Sequence, residues 1–297
     1  MHANILRYAR GRHLWSAIGL VAFSLAIYLT QADTKPPSGN TWQGYTLGGL
    51  ATLLIIWLNL LGVRKRRYGV AGNLEGWVSA HVYLGVALFF VVLLHSAGQV
   101  GANVHTAAFA LLTVAILSGM LGTSLYLLVP RRMADIGQGG SIESLGTEVK
   151  RLDQECLDLA AACAPVTALA IRSSIERTVI GGGVIDQLFG RDRSSYLGLP
   201  PGQGDDLSAS RPIPNRDQQA ILKLVAERAA RAGSASEVAS LEQLISLIAR
   251  RQELLRRIRA SIRLQGLLQA WLYLHVPVSI AVIFALLVHV LVVFMYW

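Results

Sequence analysis

Charge is what this chain has least of. Asp, Glu, Lys and Arg make up 15% of its 297 residues, against about a quarter in an ordinary soluble domain, and mean hydropathy is +0.46. The shortage is uneven: residues 14–30, 41–63, 77–104, 106–129 and 264–297 contain no charged residue at all. Each of the last four exceeds the roughly 20 residues needed to cross a ~30 Å hydrocarbon core. Cysteine is almost as scarce. Cys156 and Cys163, seven apart, are too few for a disulfide scaffold or an all-cysteine cluster, and their spacing fits neither a CxxC redox pair nor a zinc site. No CxxCH is present, so covalent c-type haem is not expected. Nucleotide-binding glycine loops are missing too. Gly137–Gly140 and Gly181–Gly183 follow no strand pattern and lead to no GK[ST]. These absences exclude a soluble enzyme, a secreted disulfide scaffold and a disordered chain.

What is present is a polytopic helical membrane protein. The expected fold class is all-α, a bundle of five spans at about 14–30, 45–63, 77–97, 106–129 and 270–297. A cytoplasmic helical-hairpin insertion is expected between spans four and five. The domains are then 1–132 (spans one to four), 133–263 (the insertion) and 264–297 (span five). The first span has the outline of a signal peptide, but the surroundings of Gln31 and Ala32 make a poor cleavage site, so it is read as a retained helix. The 27 basic residues against 18 acidic ones invite a nucleic-acid reading, which topology removes. Arg7, Arg10 and Arg12 precede span one, Arg64–Arg67 follow span two, and nineteen basic residues lie in 131–263, leaving only Lys35 elsewhere. By the positive-inside rule, the N-terminus, the 64–76 loop and the insertion are cytoplasmic and the C-terminus lies on the outer face. The expected location is the inner (plasma) membrane, with lipid as a partner and no nucleic acid.

Within the insertion, Leu145, Val149, Leu152, Cys156, Leu159, Cys163 and Val166 form a stripe of alternating steps of four and three. Gly181–Gly183 end that helix or its continuation, 190–215 read as a long loop, and a short helix follows over about 216–231. Ser234 or Ser236 caps a further helix carrying Leu241, Ile245, Ile248, Leu255 and Ile262 on one face. No break separates it from span five. The two cysteines read as buried packing thiols. Charge over 131–263 is near balance, 19 basic to 16 acidic, which speaks for docking or assembly, self-association included, over a polyanion site.

The ionisable residues inside spans three and five are all histidines: His81 and His95, His275 and His289. Such residues are costly in a membrane and functional by default. Each pair is fourteen residues apart, so its members share one helix face and stand about 21 Å apart. Both spans run outward by the charge pattern, which sets His81 level with His275 and His95 level with His289. The segments Trp77–Val82 and Trp271–Val276 resemble each other, and Phe90 and Phe284 each follow the first histidine by nine residues. Gly85 either admits a macrocycle or packs a helix. The plain alternative for any one histidine is an interhelical hydrogen bond. A zinc site would need its ligands in one cluster, and helix geometry spreads these four. A proton relay usually brings in Asp or Glu, absent here. His2, His13 and His105 read as surface histidines.

In this paired spacing the sequence resembles the di-haem membrane cytochromes b, and most closely their ferric-reductase-like membrane domain, with cytochrome b561 as a related design. The resemblance covers about 1–130 and 264–297. It implies two non-covalent b haems, with His81 and His275 on the inner iron and His95 and His289 on the outer iron, and no catalytic residue beyond them. Arg64–Arg67 and Arg131–Arg132 lie where inner-haem propionates reach, although topology accounts for them equally. Flavin-linked members continue into FAD and NADPH domains, whereas this sequence stops at Trp297, and their usual pattern has no counterpart of the long insertion. The expected role is therefore an electron-transfer subunit of an oxidoreductase complex. It would link a quinol pool (quinone being the further cofactor) or a cytoplasmic donor to an outer-face redox partner, alone or in a homo- or hetero-oligomer. The competing classes are a non-redox membrane scaffold whose cytoplasmic helices recruit a partner and, more weakly, a transporter.

Overall fold

The charge-free runs are helical in a computed structural model that describes residues 5–31, 39–66, 74–137, 141–199 and 207–296. Among the described residues five helices are long and apolar enough to cross a membrane, which makes this a multi-pass membrane protein by length and composition. They are α1 (Arg12–Leu29), α2 (Trp42–Arg66), α3 (Leu74–Ser96), α4 (Val104–Gly137) and a 62-residue helix, Ala235–Tyr296, that closes the chain. The polar turn read at Asp33–Asn40 and the basic run at Arg64–Arg67 lie mostly outside the described residues or side chains.

The chain divides into two units, 1–125 with 271–297, and 126–270. In the first, α3 packs against both α1 and α2. Leu47, Ala51, Ile55 and Leu58 of α2, spaced by fours and a three, meet Leu88 and Val91 of α3, Leu112 and Ala115 of α4, and Val282. Outward from this core stand Trp15, Phe23, Leu53, Leu117, Phe284 and Phe294, all exposed. An apolar exterior over an apolar core is what lipid as solvent allows and water does not.

The second unit is built on α5 (Ile142–Ala160), α6 (Pro165–Glu176), α7 (Val184–Phe189), α8 (Gln219–Ala229) and the first part of α9, the Ala235–Tyr296 helix. Leu145, Val149 and Leu152 of α5 pack on Leu254, Leu255 and Ile258 of α9, while Cys156 and Ala160 share a core with Leu241, Leu244 and Ile248. The two helices are thus antiparallel.

Two expectations for this unit need correction. The stripe from Leu145 to Val166 is not one helix. Proline favours the first helical turn, where its missing N–H costs nothing, so Pro165 starts α6 and strands Cys163 in the link after α5. Nor is the unit a purely helical hairpin, since 190–215 is not all loop. Strands β1 (Ser195–Gly198) and β2 (Arg211–Pro214) pair antiparallel, Tyr196 opposite Ile213, and Tyr196 joins the helical core. Four residues are too few for an alternating pattern to stand out, and Pro212 and Pro214 mask a strand that has only one hydrogen-bonded neighbour.

Candidate functional site: histidines between the spans

α3 and α9 run parallel, because His95 lies beside His289 and His81 beside His275. At the first level, the His95 and His289 ring centroids are 6.2 Å apart and their planes nearly perpendicular, at 83°. His105, at the start of α4, completes the group, 5.3 Å from His95 and 4.9 Å from His289. One ring nitrogen from each of the three lies within 4.8 Å of the others. Two nitrogens each about 2 Å from one metal stand about 3.3 Å apart in a tetrahedral site and about 4 Å apart when opposite each other, so the rings would have to close by about 1–1.5 Å. His105 is therefore not an isolated surface histidine. Sequence reasoning missed it because it sits at a helix start beyond a charge-free link, where nothing fixes its depth. The objection that helix geometry scatters the histidines fails at this level.

Hydrogen bonding decides which nitrogen each ring offers. His95 Nδ1 stands 2.7 Å from the Gly44 carbonyl. A carbonyl only accepts, so Nδ1 carries the proton and Nε2 keeps its lone pair. The Ser118 hydroxyl donates to the Ala115 carbonyl at 2.8 Å, so its oxygen accepts from His275 Nδ1–H, also at 2.8 Å. Again Nε2 is the free base. A backbone or side-chain oxygen on one ring nitrogen, with the other nitrogen offered, is the support that metal-bound imidazoles normally have. His81 differs: it lies near the Leu58 backbone and His275, and its buried Nδ1 has no hydrogen-bond partner.

Small residues give these rings room. A Cβ on Gly48 would stand 2.8 Å from the His95 ring, one on Gly119 3.3 Å from His275, and one on Gly122 1.9 Å from the Trp271 indole. Trp271 stacks on His275 at 5.4 Å and donates Nε1–H to the Ser118 carbonyl at 2.7 Å. Its counterpart Trp77 stacks on Trp57 instead, at 4.9 Å, so the repeated Trp–His segments build unlike surroundings. A Cβ on Gly85 would meet no described residue outside its own helix within 4 Å, so the glycine is not needed there for a close helix contact among the described residues. His13, also read as a surface residue, stacks on Tyr8.

These residues fit bis-imidazole ligation: histidines neighbouring one another at two levels, tautomers fixed at His95 and His275, and a buried His81 nitrogen without a partner. No family model, curated protein or solved structure matches the chain.

Proposed function

We propose that this protein carries electrons across a membrane through two b haems, held by His81 with His275 and by His95 with His289. The observation that carries the reading is the pair of anchored imidazoles, His95 on Gly44 and His275 on Ser118, each with Nε2 unprotonated and each at its own depth in parallel helices. A bis-histidine haem supplies one-electron transfer and leaves no open iron position for oxygen. The chain's own residues would do the rest. The anchors hold the imidazoles in one orientation and raise their basicity. The apolar core of the same helices, with Leu88, Val91 and Leu112, would exclude water. Gly48 and Gly119 keep the ring faces clear. Donor and acceptor remain as the sequence frames them: quinol or a cytoplasmic protein on one side and an outer-face partner on the other.

The test is spectroscopic. Protein purified from haem-sufficient cells should be red, with a dithionite-reduced α band of b type and close to two haems per chain. Replacing His81 or His275 with Ala should remove one haem, and His95 or His289 the other. A full b-type spectrum in the quadruple variant overturns the ligand assignment, and a colourless folded preparation overturns the reading in favour of the scaffold.

The His95, His105 and His289 cluster favours a second reading at that level, a three-imidazole site for zinc or copper. It predicts one bound ion per chain that His105→Ala abolishes, whereas the haem reading leaves haem content intact in that variant.

A further inference from the structure

We infer that the segment from Val179 to Arg193, with α7 at its centre, is an in-plane anchor that binds the anionic phospholipid surface where α9 enters the membrane. The last charge on α9 is Arg263, and 264–297 carry none, so the water–lipid boundary on this helix falls close to Gly266, about 4.5 Å further along. The segment is fastened to α9 at that level. Arg259 donates to the Val179 carbonyl and to Ser194 Oγ, both at 3.1 Å, and pairs with Asp192 at 2.9 Å. One turn on, a Cβ at Gly190 would stand 4.0 Å from an Arg263 guanidinium nitrogen. Furthest along, Gln187 of α7 packs on the bare face of Gly266, its Oε1 3.4 Å from where a Cβ would be. The segment therefore descends α9 to the first turn of the uncharged stretch.

What α7 carries there fits lipid. Ile185 is 62% exposed and Phe189 72%, with Ile180 and Val179 also exposed. No part of the described chain covers them. Arg191 lies 5.9 Å from the Phe189 ring centroid. Arg193 is 68% exposed although paired with Asp186, and Arg263 is exposed. Apolar side chains beside arginines, level with a membrane boundary, are the composition of a helix lying in the headgroup layer, and juxtamembrane basic groups favour anionic lipid. The positive φ of Gly181 and Gly182 turns the chain after Ile180 and so lets α7 leave the line of α6.

Spin labels test this on the full chain reconstituted in vesicles of phosphatidylcholine with phosphatidylglycerol. In a Cys163→Ser background, Cys156 being buried, labels are placed at Phe189→Cys, Ile185→Cys and, as an aqueous reference, exposed Ser236→Cys. Oxygen concentrates in lipid and a nickel chelate in water. The oxygen-to-nickel collision ratio at 189 and 185 should be several-fold above that at 236, and should fall when phosphatidylglycerol is omitted. Ratios at both sites equal to the reference overturn the proposal in favour of a solvated helix. Exclusion of both reagents overturns it in favour of a covering protein or second copy, and a ratio indifferent to lipid charge overturns the anionic assignment. Agreement of the two label sites guards against one variant that misfolds. The haem reading plays no part in the test.

Discussion

Both units bury polar side chains, but they leave them in opposite states. Arg251 in the second unit is 3% exposed, and each of its three guanidinium nitrogens donates: Asp153 takes one, Gln218 Oε1 another at 2.8 Å, and Thr178 Oγ1 the third at 3.1 Å. Gln218, Asn215 and Ser174 extend the network. In the membrane unit, the histidines at the helix interfaces are only half used. Each anchored ring has Nδ1 tied to an oxygen and keeps the lone pair of its other nitrogen, and a glycine stands against each ring where a larger side chain would crowd it. A satisfied network specifies a fold. A polar group held in one orientation with its chemistry left over is what a binding site needs, so the second pattern is the one to read as function.

Breaking the satisfied network should give the largest effect. Arg251→Ala removes a buried cation and leaves Asp153 and Gln218 facing one another without it, a change that costs about 3–5 kcal/mol when a buried pair is broken. In denaturant titrations of the full chain followed by far-UV circular dichroism, the helical unit should unfold at markedly lower denaturant. The membrane unit should keep its spectrum, including any haem band. A parallel loss of both signals would mean that the two units are not separate in stability.

The equivalent change on the membrane side is steric. Gly122→Ala drives a methyl into the Trp271 indole, and overpacking of this kind costs about 1–3 kcal/mol. It should displace Trp271 from His275 and from the Ser118 carbonyl. Under the proposed function, the expected result is a lowered content or altered α band of the haem proposed at His81 and His275, with the haem proposed at His95 and His289 unchanged. Ser118→Ala is gentler, worth about 1 kcal/mol as a lost hydrogen bond. It should preserve haem content but raise the midpoint potential of that haem, because an imidazole with no acceptor on Nδ1 is a weaker donor to iron. Equal shifts in both haems would show that the anchor is not local.

Much of this contrast is legible in the sequence alone, and the reason is physical. Lipid forbids charge, so spans such as 77–104 and 264–297 announce themselves by an absence that no soluble helix sustains. The four span histidines stood out against that background. His105 did not, because its depth depends on how α4 meets α3 and α9. Gly48, Gly119 and Gly122 were equally hidden, since a glycine is informative only once its neighbour is known. In the second unit the apolar stripes of α5 and α9 were visible as periodicity. The Pro165 break and the β1–β2 ribbon were not, because four-residue strands carry too little pattern, and the Arg251 network joins residues from positions 153 to 251.

Acid should loosen the second unit locally before it unfolds. Burial pushes the Asp192 carboxyl up, but hydrogen bonds from Ser194 and the Asp217 N–H, and then the Arg259 guanidinium, hold it below the usual carboxylate range. A depressed folded pKa contributes stability above the unfolded value, near 3.9. That contribution is lost as pH falls through the lower folded value. Amide exchange in 177–194, corrected for its intrinsic pH dependence, should therefore lose protection below about pH 4. Asp192→Asn should show the loss at neutral pH, with the α5–α9 core still protected. Uniform loss across the unit would remove Asp192 from its role as the local fastener.

The mildest probe of the contrast is the pair of thiols. Burial raises the Cys156 thiol to about 11, and the core it shares with Ile171, Ile221 and Ile248 denies reagents access. Cys163 is also raised by burial, with the Glu237 carboxylate adding to it, but it lies half-exposed in the link ahead of Pro165. Only thiolate reacts, so at pH 8 iodoacetamide should modify Cys163 slowly and Cys156 hardly at all. Modification of Cys156 should therefore report opening of the second unit and nothing else. In Arg251→Ala its rate should rise many-fold while that of Cys163 changes little, and in Gly122→Ala neither should move. If Cys156 reacts as fast as Cys163 in the unaltered protein, the α5–α9 core opens freely. The satisfied network around Arg251 would then lack the stability that separates it from the half-used histidines of the membrane unit.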